Sequence, residues 1–434
     1  MMVFLPKEEM RFFTDVKEHS AVFGFRVRMS ENVDIDALSG ALRSTLELFP
    51  RFGMRPYKSR DGHEIILKDN PAGLPVFTDD VPRALGTDET NGYLFRVSAI
   101  GDSLAIFFFH ALTDGMGGQI FLRHFLFFYA RETGHDVEND GSIYTTEDLA
   151  GPAYSRTITD YMEENEEALK APEDPEVSIP DNVFSVPEIS GMFYEDSFYK
   201  TGIDVDMKQW MEIVHGNDTT PVCMAFVLLS RAIRKQYSVS DQPILCYIAV
   251  DIRKRTGSIS LTEMSTYSYL FYLPEWDEMS VKDACLQVRG LLNKVTRDGE
   301  IIKTFDNSFQ VAMAAKQYID LNDSKIKLFF VRKAESKPDD YPFISNMGLF
   351  KIPQEMNDLV CSVEEISVPV KKSMDISMFG FRDTLRFTFC SNGKDDTLKD
   401  AFCDELSCTD IDIKHKDACV MSLDYLGEIP REDE

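Results

Sequence analysis

One histidine in this chain stands where it could take a proton from a ligand. His110 ends the apolar run Phe107-Phe108-Phe109 and is followed by Ala111-Leu112-Thr113-Asp114-Gly115. An imidazole carried by an apolar segment to the start of a polar turn suits general-base chemistry near neutral pH. Asp114, four residues on, invites a triad reading in which its carboxylate orients the ring. No serine or cysteine accompanies His110, so a covalent acyl-enzyme is not expected. Gly115, Gly117 and Gly118 either let backbone approach a ligand closely or simply open a helix. As metal ligands, His110 and Asp114 lack a third partner at matching spacing, because His124 and His135 are far off, and no metal is expected.

The surrounding sequence must place that histidine. Residues 94–100 and 104–109 read as two strands joined at Gly101-Asp102, the second apolar on both faces as in a buried strand. Ile120, Phe121, Phe125 and Phe128 predict a helix over 117–131 that Gly134 stops. Ahead of them, Ala21, Phe23, Phe25, Val27 and Met29 alternate with Arg26 and Arg28, the pattern of a half-buried strand. Asp34 caps the next helix, Pro50 ends it, and Arg60-Asp61-Gly62 reads as a turn. Residues 132–182 are acidic and broken by Pro152, Pro172, Pro175 and Pro180, a long crossover with one short helix over 157–171. Beyond it, Thr220-Pro221 opens a helix to Tyr237, and 281–295 and 398–406 read as helices. Residues 244–250, 327–331, 385–390 and 418–425 read as strands. Strands and helices mix in both halves, which predicts two α/β layers side by side.

Length and charge narrow the possibilities. At 434 residues the chain exceeds one ordinary core, and two domains are expected, residues 1–178 with the histidine motif and residues 179–434. Acidic residues number 73 against 46 basic, a net charge of −27, with a pI of about 4.7. Such a surface repels phosphate backbones, so no nucleic-acid partner is expected, and docking onto acidic carrier proteins is disfavoured. None of the eight cysteines forms a CxxC pair, and buried, reduced thiols are expected. The N-terminus turns charged too soon for a signal peptide, and no apolar run reaches transmembrane length. The expected location is cytoplasmic.

The stretch 107–115 resembles the HHxxxDG signature of the coenzyme A-dependent acyltransferase superfamily, which includes chloramphenicol acetyltransferase, alcohol acetyltransferases, plant acyltransferases and peptide synthetase condensation domains. His110, Asp114 and Gly115 match, while Phe109 stands in place of the first histidine, as in several branches of the family. Three further stretches are similar to family segments. They are the early helix from Val33 to Pro50, the strand-end motif Val250-Asp251-Ile252-Arg253, and Ser345-Asn346-Met347-Gly348, which resembles the Ser/Thr-Asn-x-Gly turn of alcohol acetyltransferases. The DFGWG motif of plant members is not present.

The resemblance implies an α/β fold with mixed sheets, in which two chloramphenicol acetyltransferase-like sandwich domains enclose an interdomain tunnel. It implies transfer of an acyl group from acyl-coenzyme A, a cosubstrate and not a resident cofactor, to a hydroxyl or amine of a small-molecule acceptor, with His110 as base. It also implies that Asp114 turns from the imidazole and pairs with an arginine, for which Arg253 is the candidate. Ser345 and Asn346 become candidates for the tunnel wall or the oxyanion donor. Lys254, Arg255, Lys371 and Lys372 are local basic exceptions that could meet coenzyme A phosphates. A monomer is expected. Two alternatives stand beside this reading: a stand-alone condensation-like domain using carrier-protein thioesters, and a non-catalytic relative that binds a small molecule.

Overall fold

The computed structural model describes residues 2–3, 8, 11–12, 21–60, 64–170, 177–186, 197–316, 341–367, 374–422 and 424–432. In the first half lie β1 (Val22–Met29), α1 (Ile35–Leu48), β2 (Val76–Phe77), β3 (Phe95–Ile100), β4 (Ser103–Phe109) and α2 (Gly115–Glu132). After the crossover come β5 (Ser197–Asp206), α3 (Met207–Gly216), α4 (Pro221–Tyr237), β6 (Ile244–Asp251), α5 (Arg253–Thr256), β7 (Ser265–Tyr272), α6 (Val281–Val295) and α7 (Asp298–Lys316). Last are β8 (Phe343–Phe350), β9 (Val360–Ile366), β10 (Asp375–Phe381), β11 (Thr384–Ser391), α8 (Thr397–Ser407) and β12 (Ile413–Ser422). The strand expected over 327–331, most of the turn at Arg60-Asp61-Gly62, and Lys371-Lys372 lie outside the described residues.

The histidine motif rides on a five-stranded sheet of order β9–β1–β4–β3–β2. β1 and β4 run antiparallel with Phe23 opposite Phe108, and β3 and β4 form a hairpin that Gly101 turns at φ +59°. One face of this sheet packs on α1 and α2 through phenylalanines. Phe52 and Phe121 lie 4.5 Å apart by ring centroids, and Phe95 stacks on Phe108 at 5.7 Å. A side chain at Gly118 would crowd this packing, since a Cβ there would lie 3.0 Å from the Phe23 ring. α2 starts at Gly115, two residues earlier than the apolar spacing predicts, because Asp114 caps it by accepting from Gly117 N at 2.8 Å.

The second sheet has seven strands in the order β7–β6–β8–β10–β11–β5–β12. Trp210 of α3 and Phe226 of α4 share a buried core with Phe387 and Phe389 of β11. The opposite face of β8, β10 and β11 carries Ser345, Ser377 and Thr388 side by side in register. The two sheets exchange chain. β9, from the second half, pairs antiparallel with β1, setting Glu365 opposite Phe25 and Glu364 opposite Arg26. Glu364 forms ion pairs with Lys200 and, at 3.4 Å, with Arg386, while Arg386 holds Asp204 through two bonds of 2.6 and 2.9 Å. Ser377 donates to Glu365, whose burial pushes its pKa up to about 7. The chain end returns too, with Tyr425–Leu426 parallel to Ala84–Leu85.

Several expectations change in detail. The helix expected over 157–171 is Ile158–Glu164, capped by Thr157, followed by a 3₁₀ turn over Glu166–Lys170. The strand expected over 418–425 begins earlier, at Ile413, and ends at Ser422. Cys361, Cys408 and Cys419 are exposed and do not follow the expected burial, while the other five cysteines are buried. Among the described residues no helix is long and apolar enough to cross a membrane.

Candidate active site

His110 follows directly on β4, and its main-chain N–H donates to Ala21 O at 2.8 Å, continuing the β1–β4 ladder past the strand end. The ring lies 5.0 Å from that of Phe23. The residue keeps some solvent contact, but Nδ1 is covered and has no hydrogen-bond partner among the described residues. Burial disfavours the imidazolium, and the positive charge of Arg11 adds to this. Glu263 and Asp114 oppose it more weakly, and the pKa falls to about 4. The ring is therefore neutral at pH 7.

Asp114 does not touch the imidazole. Its carboxylate meets Arg253 through two bonds, Nη2 to Oδ1 at 2.8 Å and Nη1 to Oδ2 at 3.0 Å. Gly117 N and Met264 N donate to the same carboxylate at 2.8 and 2.9 Å. Arg253 uses its remaining donors on Asp251 (2.8 Å), Ser260 O (2.9 Å) and Thr262 O (2.7 Å). All five guanidinium N–H groups thus have partners, a fork geometry that only arginine supplies. Burial opposes the charge on Arg253, but Asp114 and Asp251 outweigh it and raise its pKa. The pair joins the N-cap of α2 to the first residue of α5, just after β6, so the two sheets are tied at the motif.

The backbone around this pair is tight. A Cβ on Gly117 would lie 2.2 Å from Thr113 Oγ1 and 2.4 Å from Leu261 O, and Thr113 donates to that same carbonyl at 2.7 Å. Glycine at 117 is therefore a packing requirement at the junction. A Cβ on Gly115 would meet the flexible end of Met347. Met347 is the extra residue of a bulge in β8, and its carbonyl accepts from the buried Gln119 of α2 at 2.9 Å. The Ser345-Asn346-Met347-Gly348 stretch is thus a bulged strand beside the motif. Asn346 Oδ1 accepts from Gly348 N at 3.2 Å, and Gly348 takes φ +67°. Ser345 is half-buried and Asn346 exposed.

Of the basic candidates, Arg255 is held by Asp298 at 2.9 Å, and Tyr161 also donates to that carboxylate at 2.8 Å. Lys254 is exposed on α5. The structure adds residues that sequence reasoning missed. Arg11 pairs with the buried Glu263 at 3.2 Å, and the fully buried Glu8 takes Arg51 at 2.7 Å and Glu263 N at 3.2 Å. These contacts span up to 255 residues, and no local spacing marks them. Asp251 was legible, two residues before Arg253 in the quoted motif.

Comparison with family models gives no match, and none comes from curated proteins. Solved structures do match along nearly the whole chain. Polyketide synthase associated protein 5 from Mycobacterium tuberculosis is 14% identical, with 94% of this chain and 97% of that one covered at a TM-score of 0.56. TRI101 of F. graminearum, solved with coenzyme A and deoxynivalenol, is 13% identical over 93% of this chain and 98% of its own, at 0.61. The trichothecene 15-O-acetyltransferase TRI3 of Fusarium sporotrichioides is 10% identical over 94% of each chain, at 0.63. The epimerization domain of the third module of tyrocidine synthetase B also matches, at 0.56. With its mixed sheets and this likeness end to end, the chain has the two-domain fold of the chloramphenicol acetyltransferase-like acyltransferases and peptide synthetase domains.

Proposed function

We propose that this protein is an acyltransferase that moves an acyl group from acyl-coenzyme A to a hydroxyl or amine of a small acceptor, with His110 as general base. The observation that carries this reading is an imidazole whose covered Nδ1 has no hydrogen-bond partner among the described residues, with Asp114 engaged instead by Arg253. In this reading Nδ1 carries the ring proton and Nε2 offers its lone pair to the acceptor. Nε2 takes the acceptor's proton as its oxygen or nitrogen attacks the thioester carbonyl carbon. The tetrahedral intermediate then collapses, the carbon–sulfur bond breaks, and the imidazolium returns the proton to the departing thiolate. Ser345, on the bulged strand beside the motif, is the proposed wall or oxyanion residue of an interdomain passage, with Asn346 next to it. The Asp114–Arg253 pair holds the junction and takes no part in proton transfer. Both substrates would meet in that passage between units 1–178 and 179–434, with the exposed Lys254 as the proposed partner of coenzyme A phosphates.

The fold neighbours solved with coenzyme A support the choice of donor. The test is thiol release from acetyl-coenzyme A against pooled alcohols and amines, with acyl carrier protein as the alternative donor. His110→Ala should lower the rate by roughly 10²–10⁴-fold while far-UV circular dichroism stays unchanged. Undiminished turnover in that variant removes His110 as the base. Transfer from the carrier thioester alone would favour the condensation-like alternative.

A further inference from the structure

Strands β6 and β8 run side by side and separate before they reach the motif. They are parallel and pair at Tyr247–Phe343 and Ile248–Ile344, and at no later position among the described residues. Yet β6 continues to Asp251 and β8 to Phe350. Each then meets the motif by its own route. Asp251 accepts from Arg253, which holds Asp114. Met347 packs on Gly115, its Cε 2.5 Å from where a Cβ there would stand, and its carbonyl accepts from Gln119. Parallel strands that part at their carboxyl ends leave a crevice, the usual place for a ligand in an open α/β sheet. Both lips of this one lead to the first turns of α2.

Solvent reaches the inner face of the seven-stranded sheet at this place. Tyr247, Ala249, Phe343 and Ser345 share that face, with Tyr267 of β7 in register beside Ala249. Ala249 is exposed, Tyr267 keeps 45% of its surface, and Tyr247, Phe343 and Ser345 are half-buried. On the next strand, β10, the same face is closed, with Asp375 and Ser377 buried. The rings of Tyr267 and Tyr247 stand at 84° with centroids 5.9 Å apart, so an aromatic corner rises beside a floor of one methyl group.

We propose that this crevice is the acceptor subsite, and that Tyr267 and Tyr247 select an acceptor built on a planar aromatic ring. A flat ring lying on Ala249 meets the tyrosines in the stacked and edge-on contacts that aromatic pairs favour. Ala249 and Asp251 are two residues apart along β6, about 7 Å, so a short arm carries the acylated oxygen or nitrogen from the ring to the motif. The adenine of coenzyme A is also planar, but it comes with phosphates. None of the five lining positions is basic, and Arg253 spends its donors on Asp114, Asp251, Ser260 and Thr262. The role as acceptor subsite rests on the proposed acyl transfer, whereas the binding of a ring does not.

The experiment uses the full chain as wild type, Tyr267→Ala, Tyr267→Phe and Ala249→Phe, with far-UV circular dichroism checking that each is folded. Ring binding is read from the fluorescence anisotropy of a naphthyl alcohol. Transfer is read as thiol release from acetyl-coenzyme A with benzyl alcohol or its saturated counterpart, cyclohexylmethanol. The naphthyl alcohol should bind wild type and Tyr267→Phe alike and Tyr267→Ala roughly tenfold more weakly. It should not bind Ala249→Phe, whose new side chain fills the floor. Wild type should prefer benzyl alcohol in kcat/KM, and Tyr267→Ala should lose that preference through KM for the alcohol. No binding to wild type, or equal binding to wild type and Ala249→Phe, overturns the inference. A rise in KM for acetyl-coenzyme A in place of the alcohol also overturns it, because the ring held there would be adenine. If the naphthyl alcohol binds as expected but no thiol is released with any acceptor, the ring site stands and the proposed function fails.

Discussion

At the scale of single residues, the site separates two tasks that a triad would merge. His110 is left without a carboxylate partner, and Asp114 is consumed by four donors. A buried ion pair is weak evidence for stability, but breaking one by removing a partner is strongly destabilising. Asp114→Asn presents an amide to donors that it cannot all satisfy and leaves Asp251 as the one carboxylate paired with Arg253 among the described residues. We expect a loss of about 3–5 kcal/mol, read as a lower melting temperature, with activity falling alongside. A rate defect with an unmoved melting temperature would assign Asp114 to the chemistry instead. The histidine, aspartate and glycine of the motif were legible because they lie within six residues of one another. Arg253 was legible through its strand-end stretch. Arg11 and Glu263 were not, because their meeting is made by the fold and leaves no trace in spacing.

At the scale of elements, α2 and its neighbours were read from apolar periodicity, and the structure bears this out nearly to the residue. β5 was missed. Its period of two is present, with Ile203 and Val205 in the core and Lys200, Gly202 and Asp204 on the other face. That polar face is buried against Glu364 and Arg386 of other strands, pairings that no local spacing marks. α2 also carries His124, fully buried, whose Nδ1 faces Ile120 O at 2.7 Å while Nε2 accepts from Tyr144 N at 2.6 Å. These partners assign the proton to Nδ1 and fasten the loop at Tyr144 to the helix. Burial lowers its pKa to about 4, against an ordinary value of 6.5. The unfolded chain takes up this proton as pH falls through 6.5, and the folded one resists until about pH 4. Stability is thus complete above pH 6.5 and is lost between those values, by up to about 3 kcal/mol for this one group. Urea unfolding at pH 7 and pH 4.5 should show the loss, and His124→Gln should make it smaller. An equal loss in the variant would place the acid sensitivity elsewhere.

At the scale of the whole molecule, the two sheets are tied by β9, by the returning chain end and by the Arg253–Asp114 pair. Both tryptophans, Trp210 and Trp276, sit in the core of the seven-stranded sheet. Their fluorescence therefore reports on that layer, while far-UV circular dichroism reports on both. We expect the two signals to share one urea midpoint; separated midpoints would mean that the ties are too weak to couple the layers. The mixing of strands and helices in both halves was legible as an α/β fold. The exchange of β9 was not, because pairing between residues 24 and 366 leaves no local mark.

That exchanged strand has a consequence for synthesis. As the chain leaves the ribosome, β1 emerges early with one backbone edge bare, and the residues that cover it come more than 330 positions later. Until then the nascent sheet offers unpaired N–H and C=O groups beside a phenylalanine-rich layer, an invitation to misassociation. The amino-terminal half made alone would keep that edge permanently, so maturation of the histidine motif has to wait until residues 360–366 have been made.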